Sequence, residues 1–128
     1  MPPFIDSTLF EKKAEKKTLA LVLSEDENVL SCIRQAMKDH SIRECSVADI
    51  NGKIKLGLIN FFERSQFKTM QLENQAMLRA SGHFKLSGGD LWGSMNVSTA
   101  GKKVTTGTFV RGTAAEGLEI KLSFVKSR

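Results

Sequence analysis

At 128 residues and 14.2 kDa the chain has the length of one domain. Its apolar content of 41% is enough for a core, and its longest apolar runs are only a few residues, which excludes a membrane-spanning helix. The formal net charge of +5 is uneven: residues 1–17 carry +1, residues 18–48 carry −2 and residues 49–128 carry +6. An excess of that size permits binding to a polyanion and equally describes an ordinary basic surface.

Pro2-Pro3 and the lysine-rich Glu11 to Lys17 predict a basic, flexible segment over residues 1–17, ahead of a single domain over 18–128. No charged region followed by an apolar stretch opens the chain, so a cytoplasmic protein with Cys32 and Cys45 as reduced thiols is expected. Thr18 to Leu23 (TLALVL) predicts a first strand. Ser24 with Glu27 three residues on has the form of a capping box, and Glu25 to Glu27 place acids at a helix N-terminus. Val29, Leu30, Ile33, Ala36 and Met37 share one face at helical spacing, so one packing helix is expected over about residues 25–40. An acidic first turn would repel phosphate there.

Ile42 to Ile50 and Lys53 to Phe61 read as strands, with Asn51-Gly52 as a hairpin turn and Ile54, Leu56 and Leu58 on one side. Glu63 to Gln66 predicts a second turn, Phe67 to Leu72 a further strand, and Glu73 to Gln75 a polar break. From Met77 to Phe124, period-two apolar residues recur between turns at Gly88 to Asp90, Ala100-Gly101 and Gly112 to Gly117. Leu78 with Ala80, Phe84 with Leu86, and Leu118, Ile120, Leu122 and Phe124 mark the strands, four in all. The fold class is therefore α+β: an antiparallel-rich sheet packed by one main helix.

Motifs that carry chemistry are scarce. His40 and His83 lack a second histidine or a cysteine at ligand spacing, and zinc needs three or four convergent ligands. Ser81-Gly82-His83 has no orienting acid, and no Gly-x-Ser-x-Gly is present. Ser87 to Asp90 lies between strands, whereas a phosphate loop needs a helix after it. No catalytic residue, cofactor or metal is assigned. Trp92 reads as core or interface, because the interleaved aromatics of single-strand binders are missing. Lys102, Lys103 and Arg111 around one hairpin, with Lys85 nearby, form the best basic patch and are the candidates for phosphate contacts.

Several stretches carry a family resemblance. LALVLSEDENVLSCIRQAMKDHSI, then Met77 to Gly82, Val104 to Gly112 and Leu118 to Phe124, resemble the PPC (plants-and-prokaryotes-conserved) domain of the standalone prokaryotic type. The resemblance covers Leu19 to Phe124. It implies an α+β fold and a homotrimer, and standalone members are generally taken to be DNA-binding proteins. Plant members contact DNA through adjoining AT-hooks, which this chain lacks. Many prokaryotic members carry a His-x-His pair and a third histidine; the matching positions here are Ser94, Asn96 and Thr108. Neutral oxygens hold zinc weakly, so the three are candidates for a polar pocket at the trimer interface. The expected function is thus a non-enzymatic protein associated with DNA through non-specific phosphate contacts. The alternatives are a small-ligand protein or enzyme using that pocket, and a structural trimerisation module.

Overall fold

The computed structural model describes residues 14–101 and 103–127. Six strands and one helix follow in the order β1 (Ala14–Leu23), α1 (Val29–Asp39), β2 (Glu44–Glu63), β3 (Gln66–Ser87), β4 (Asp90–Thr99), β5 (Thr105–Ala114) and β6 (Leu118–Ser127). All pairings are antiparallel, in the order β1-β6-β2-β3-β4-β5, and β2 also pairs with β5. That last pairing closes β2, β3, β4 and β5 into a ring. The closure is partial, because β4 and β5 pair only from Asn96 opposite Thr108 to Thr99 opposite Thr105. β1 and β6 form a two-stranded ribbon whose strand pairing to the ring, among the described residues, runs through β2.

The α+β expectation is met, and the late strands fall where their alternation placed them. Four details differ. β1 begins at Ala14, ahead of the expected Thr18, so the last residues of the basic segment are strand; residues 1–13 lie outside the described residues. The helix begins at Val29, not at residue 25. Its N-cap is Asn28, whose Oδ1 accepts the Ser31 N–H at 2.9 Å. Ser24 to Glu27 form a turn pinned to the sheet instead. Asp26 N–H donates to the Ala114 carbonyl and Ala114 N–H to the Glu27 carbonyl, both at 2.9 Å. Asp26 sits at φ 71°, which no helix tolerates.

The third difference is Asn51-Gly52, which is not a hairpin. β2 continues through it without reversing, in one register with β3 from Val47 opposite Gly82 to Gly52 opposite Met77. On its other side β2 passes from β6 (Ser46 to Asn51) to β5 (Ile54 to Asn60). Gly52, at φ 121°, makes the bend between the two partners. A Cβ there would lie 3.0 Å from the Leu118 Cα, so the close crossing of β6 also selects glycine. The polar break at Glu73 to Gln75 is likewise continuous strand, because Glu73 and Gln75 pair with Leu56 and Ile54.

Fourth, the alternation is broken by bulges. Register shifts beside Ile54 and Leu58, and between Met77 and Arg79, turn Leu56 and Leu78 outward and leave Ile54, Ile59 and Met77 buried. The core is made by Ile54, Ile59, Leu72, Phe84, Met95, Ile120 and Leu122, with Val29, Ile33 and Met37 of α1 laid against it. Fully burying one such side chain contributes about 1.5–3 kcal/mol. Arg34 ties the helix to the β3–β4 turn, its Nε donating to the Gly89 carbonyl at 2.7 Å.

Candidate functional site

Successive strand residues point to opposite faces, so register decides which polar groups meet. On the outer face of the ring the register aligns Ser81 (β3), Asn96 (β4), Thr108 (β5), Asn60 (β2) and Thr69 (β3) in one line across the strands. Thr108 Oγ1 donates to Asn96 Oδ1 at 3.0 Å, and Thr69 Oγ1 donates to Asn60 Oδ1 at 2.7 Å. Both asparagines thus spend their carbonyl oxygens within the row. Their Nδ2 groups have no partner among the described residues, so the row presents amide donors to solvent. The next row is Arg79, Ser98 and Thr106. Ser98, only 2% exposed, joins Thr106 at 2.7 Å and accepts from Arg79 Nε at 3.2 Å.

Large apolar side chains bracket this line. Phe62 and Phe67, two residues beyond Asn60 and before Thr69, are 62% and 84% exposed. Their rings meet edge to face with centroids 5.0 Å apart. On the other side stand Val110 and, past Ser94, Trp92, which is 60% exposed. Trp92 is therefore not core. Gly93, between Trp92 and Ser94, has φ 112°, and a Cβ there would strike the His83 carbonyl oxygen. Glycine lets β4 lie close on β3 at this point.

Of the pocket candidates, Asn96 and Thr108 are in direct contact and Ser94 lies two residues from Asn96 on the same face, opposite His83. Amide N–H groups turned outward have the wrong polarity for a cation, so the donor set does not fit a metal ion. No group of three metal-ligating side chains occurs among the described residues. Asn60, Thr69, Ser98 and Thr106 escape the sequence reading. Period-two hydroxyls at Thr106 and Thr108 opposite Asn96 and Ser98 were a usable signal for two of them. Asn60 was not reachable, because its place depends on the distant β2–β5 pairing.

The basic candidates are dispersed. Lys85 faces Trp92 at one end of β4, and Lys103 follows Thr99 at the other end. Seven residue steps separate Trp92 from Thr99, roughly 23 Å at the usual rise. Arg111 lies farther along β5, opposite Leu58, and Lys102 lies outside the described residues. Lys103 Nζ is bonded to Glu63 Oε2 at 3.1 Å, and Lys68 reaches the other oxygen of the same carboxylate, also at 3.1 Å. The hydrogen bond from Lys103, then that from Lys68, holds the Glu63 carboxyl below its ordinary pKa of 4.5. Lys55 is bonded to Asp26 at 2.8 Å and Glu25 at 2.6 Å, which raises its own pKa. The acids expected at the helix start therefore neutralise a lysine of β2. His83 Nε2 lies 2.9 Å from Glu44 Oε2.

Comparisons with known proteins agree with this architecture. The profile of the Plants and Prokaryotes Conserved (PCC, or PPC) domain matches residues 10–123. A metal-containing protein from Archaeoglobus fulgidus superposes with a TM-score of 0.71 at 14% identity, over 88% of this chain and 81% of its own. A PPC protein from Pyrococcus horikoshii gives 0.70 at 22% identity, over 88% and 80%. A protein from Ralstonia eutropha, provisionally named for DNA binding, gives 0.69 at 19% identity, over 92% and 85%. No curated protein matches. At these identities the superpositions speak for the fold.

Proposed function

The chain belongs to the Plants and Prokaryotes Conserved family, and on that premise we propose that it is a non-enzymatic, self-associating binding protein. In this reading it is a homotrimer in which the outer face of the ring meets a neighbouring copy. One observation carries the reading: the amide and hydroxyl row is bracketed by Phe62, Phe67, Val110 and Trp92, all exposed in the single chain. Contiguous apolar side chains around a polar centre mark an interaction surface. Once covered, Ser94, Asn96, Thr108 and Asn60 line a small polar pocket, and their amide donors suit a ligand rich in hydrogen-bond acceptors. A cytoplasmic setting, with Cys32 and Cys45 as free thiols, belongs to the same reading. The described helix is too short to cross a membrane.

Light scattering on the purified protein tests it. Three times 14.2 kDa is expected, and a monomer overturns the reading. The double substitution Phe62→Ser and Phe67→Ser should dissociate the assembly; an intact trimer would move the interface elsewhere. A trimer carrying no small molecule at Asn96 and Thr108 would make the chain a structural trimerisation module.

A second reading is DNA association through non-specific phosphate contacts. It is favoured by the net +6 of residues 49–128 and by the name of the Ralstonia protein. Lys85, Lys102, Lys103 and Arg111 are its candidates. Contacts so dispersed would be weak and steeply salt-dependent. Anisotropy of a labelled random duplex at low and physiological salt checks this. Affinity unchanged by Lys102→Glu with Lys103→Glu removes that pair, and no binding at low salt removes the reading.

A further inference from the structure

The outer face of the ring carries one arginine that is held in place at one nitrogen and free at the others. Arg79 on β3 is exposed and faces Ser98 on β4, which faces Thr106 on β5. Its Nε donates to Ser98 Oγ at 3.2 Å. That hydroxyl belongs to a residue 2% exposed and lies 2.7 Å from Thr106 Oγ1. A long, exposed side chain is thus moored to a fixed point in the sheet. Its terminal nitrogens, Nη1 and Nη2, have no hydrogen-bond or ion-pair partner among the described residues. A guanidinium held this way presents a planar fork of N–H groups, the shape that pairs with two oxygens of one oxyanion.

The next row lies two residue steps along β3, about 7 Å away. It contains Ser81, Asn96, Thr108, Asn60 and Thr69. Asn96 and Asn60 accept from Thr108 and Thr69 at their Oδ1 atoms, so their Nδ2 groups remain as donors. One strand, β5, lies between the two asparagines and sets them about 10 Å apart. Neither row contains an acid. The acids of the flanking stretches are distant or matched. Glu44 faces Lys85, six residue steps from Arg79 and roughly 20 Å away, and lies 2.9 Å from His83 Nε2. Glu63, next to Phe62, holds Lys68 and Lys103, both at 3.1 Å. Glu73 is four steps past Thr69, roughly 13 Å.

We propose that the two rows form an oxyanion site, in which Arg79 binds the carboxylate or phosphate of a small organic anion and the amides of Asn96 and Asn60 bind its remaining oxygens. This rests on the reading of a polar pocket at Asn96 and Thr108, and it gives the ligand a charge and a length of about 10 Å. Three features select such a ligand. A neutral molecule would leave the guanidinium fork unpaired under cover, which is costly. A cation would meet like charge and outward N–H groups. A nucleic-acid backbone is held by several cations along a track, and these two rows hold no cation besides Arg79. Lys85, farther along β3, shares its row with Glu44.

The test is calorimetric titration of the full chain, at fixed ionic strength, with citrate, glycerol phosphate and glycerol. One or both anions should bind, and glycerol should not. Preference for citrate identifies a carboxylate ligand, and preference for glycerol phosphate a phosphate one. Arg79→Gln should weaken binding about tenfold or more. Arg79→Lys keeps the charge but loses the fork, so it should weaken binding as well. Lys38→Gln removes one charge from the exposed side of α1 and should leave binding unchanged. Circular dichroism confirms that each variant is folded, and Arg79→Lys carries the test if Arg79→Gln is not. Failure of both anions to bind at about 10 mM overturns the proposal; light scattering on the same sample then shows separately whether the trimer stands. Anion binding by a monomer overturns the trimer and leaves the proposal in place. Equal anion binding by Arg79→Gln overturns the proposal. So does loss of the trimer in Arg79→Gln without any anion present, which would make Arg79 a contact between copies. Arg79-dependent binding of a labelled duplex, tighter than that of either anion, overturns it too.

Discussion

The ring and the ribbon are built from the same kind of strand, yet they present different chemistry to a partner. In the ring the strands carry a row of polar side chains across their outer face: Asn60, Asn96 and Thr108, framed by Phe62 and Phe67. In the ribbon β6 runs past the end of its β2 pairing, and beyond Ser123 it pairs with β1 alone among the described residues. Curling a sheet into a ring and extending it as a ribbon thus give one small domain two different surfaces.

The largest test of this contrast is core truncation. Phe84, buried inside the ring, should cost about 3–5 kcal/mol when changed to alanine. Val125→Ala on the exposed ribbon should stay within about 0.5 kcal/mol. Urea unfolding measures both; similar losses would show that the ribbon is packed as tightly as the ring. Next is thiol reactivity. Burial pushes Cys45, on β2, and Cys32, on the helix, up to about 11 from 9.0. At pH 8 iodoacetamide should therefore label Cys45 about a hundredfold more slowly than a free thiol, in proportion to its thiolate. Rapid labelling would mean that the sheet opens around Cys45, which is 2% exposed.

A smaller effect is expected at Ser98. Its buried hydroxyl serves both Thr106 and Arg79, so Ser98→Ala should cost about 1–3 kcal/mol, whereas Ser46→Ala, exposed on β2, should be nearly silent. The smallest effect is electrostatic. Glu63 has a lowered pKa in the fold, chiefly from Lys103 and then Lys68. Its contribution to stability is therefore present above the ordinary value of 4.5 and lost as pH falls through the folded value. Thermal melts from neutral to acid pH should fall less for Glu63→Gln than for the parent. Identical slopes would mean that these exposed ion pairs contribute nothing, as many do.

Much of the ring was legible in the sequence. The alternation at Phe84 and Leu86 and the glycine turn at Gly88-Gly89 mark two of its strands, and the alternation at Leu118, Ile120 and Leu122 after Gly117 marks β6 of the ribbon. Asn96 and Thr108 were named together and meet. What stayed hidden depends on long-range pairing. Asn51-Gly52 has the composition of a hairpin turn, and only the handover from β6 to β5 makes it a bend. Ser24 to Glu27 carries the letters of a helix cap, but the hydrogen bonds to Ala114 decide its shape. Bulges invert the faces of Leu56 and Leu78, and no local pattern encodes them. The basic candidates looked clustered in sequence because the length of β4 and the ion pair at Glu63 were out of view.

The pairing of β1 with β6 has a further consequence, for synthesis. Leu23 finds its partner in Leu118, 95 positions later in the chain. At about 5–20 residues per second, roughly 5–20 s pass before a ribosome supplies that partner. Through that interval Leu19, Leu21 and Leu23 have no strand to lie against, whereas the β2–β3 hairpin forms from neighbours within microseconds. The nascent protein therefore spends most of its making as a half-built sheet with a sticky first strand. The step that ends this vulnerability is the arrival of its last strand.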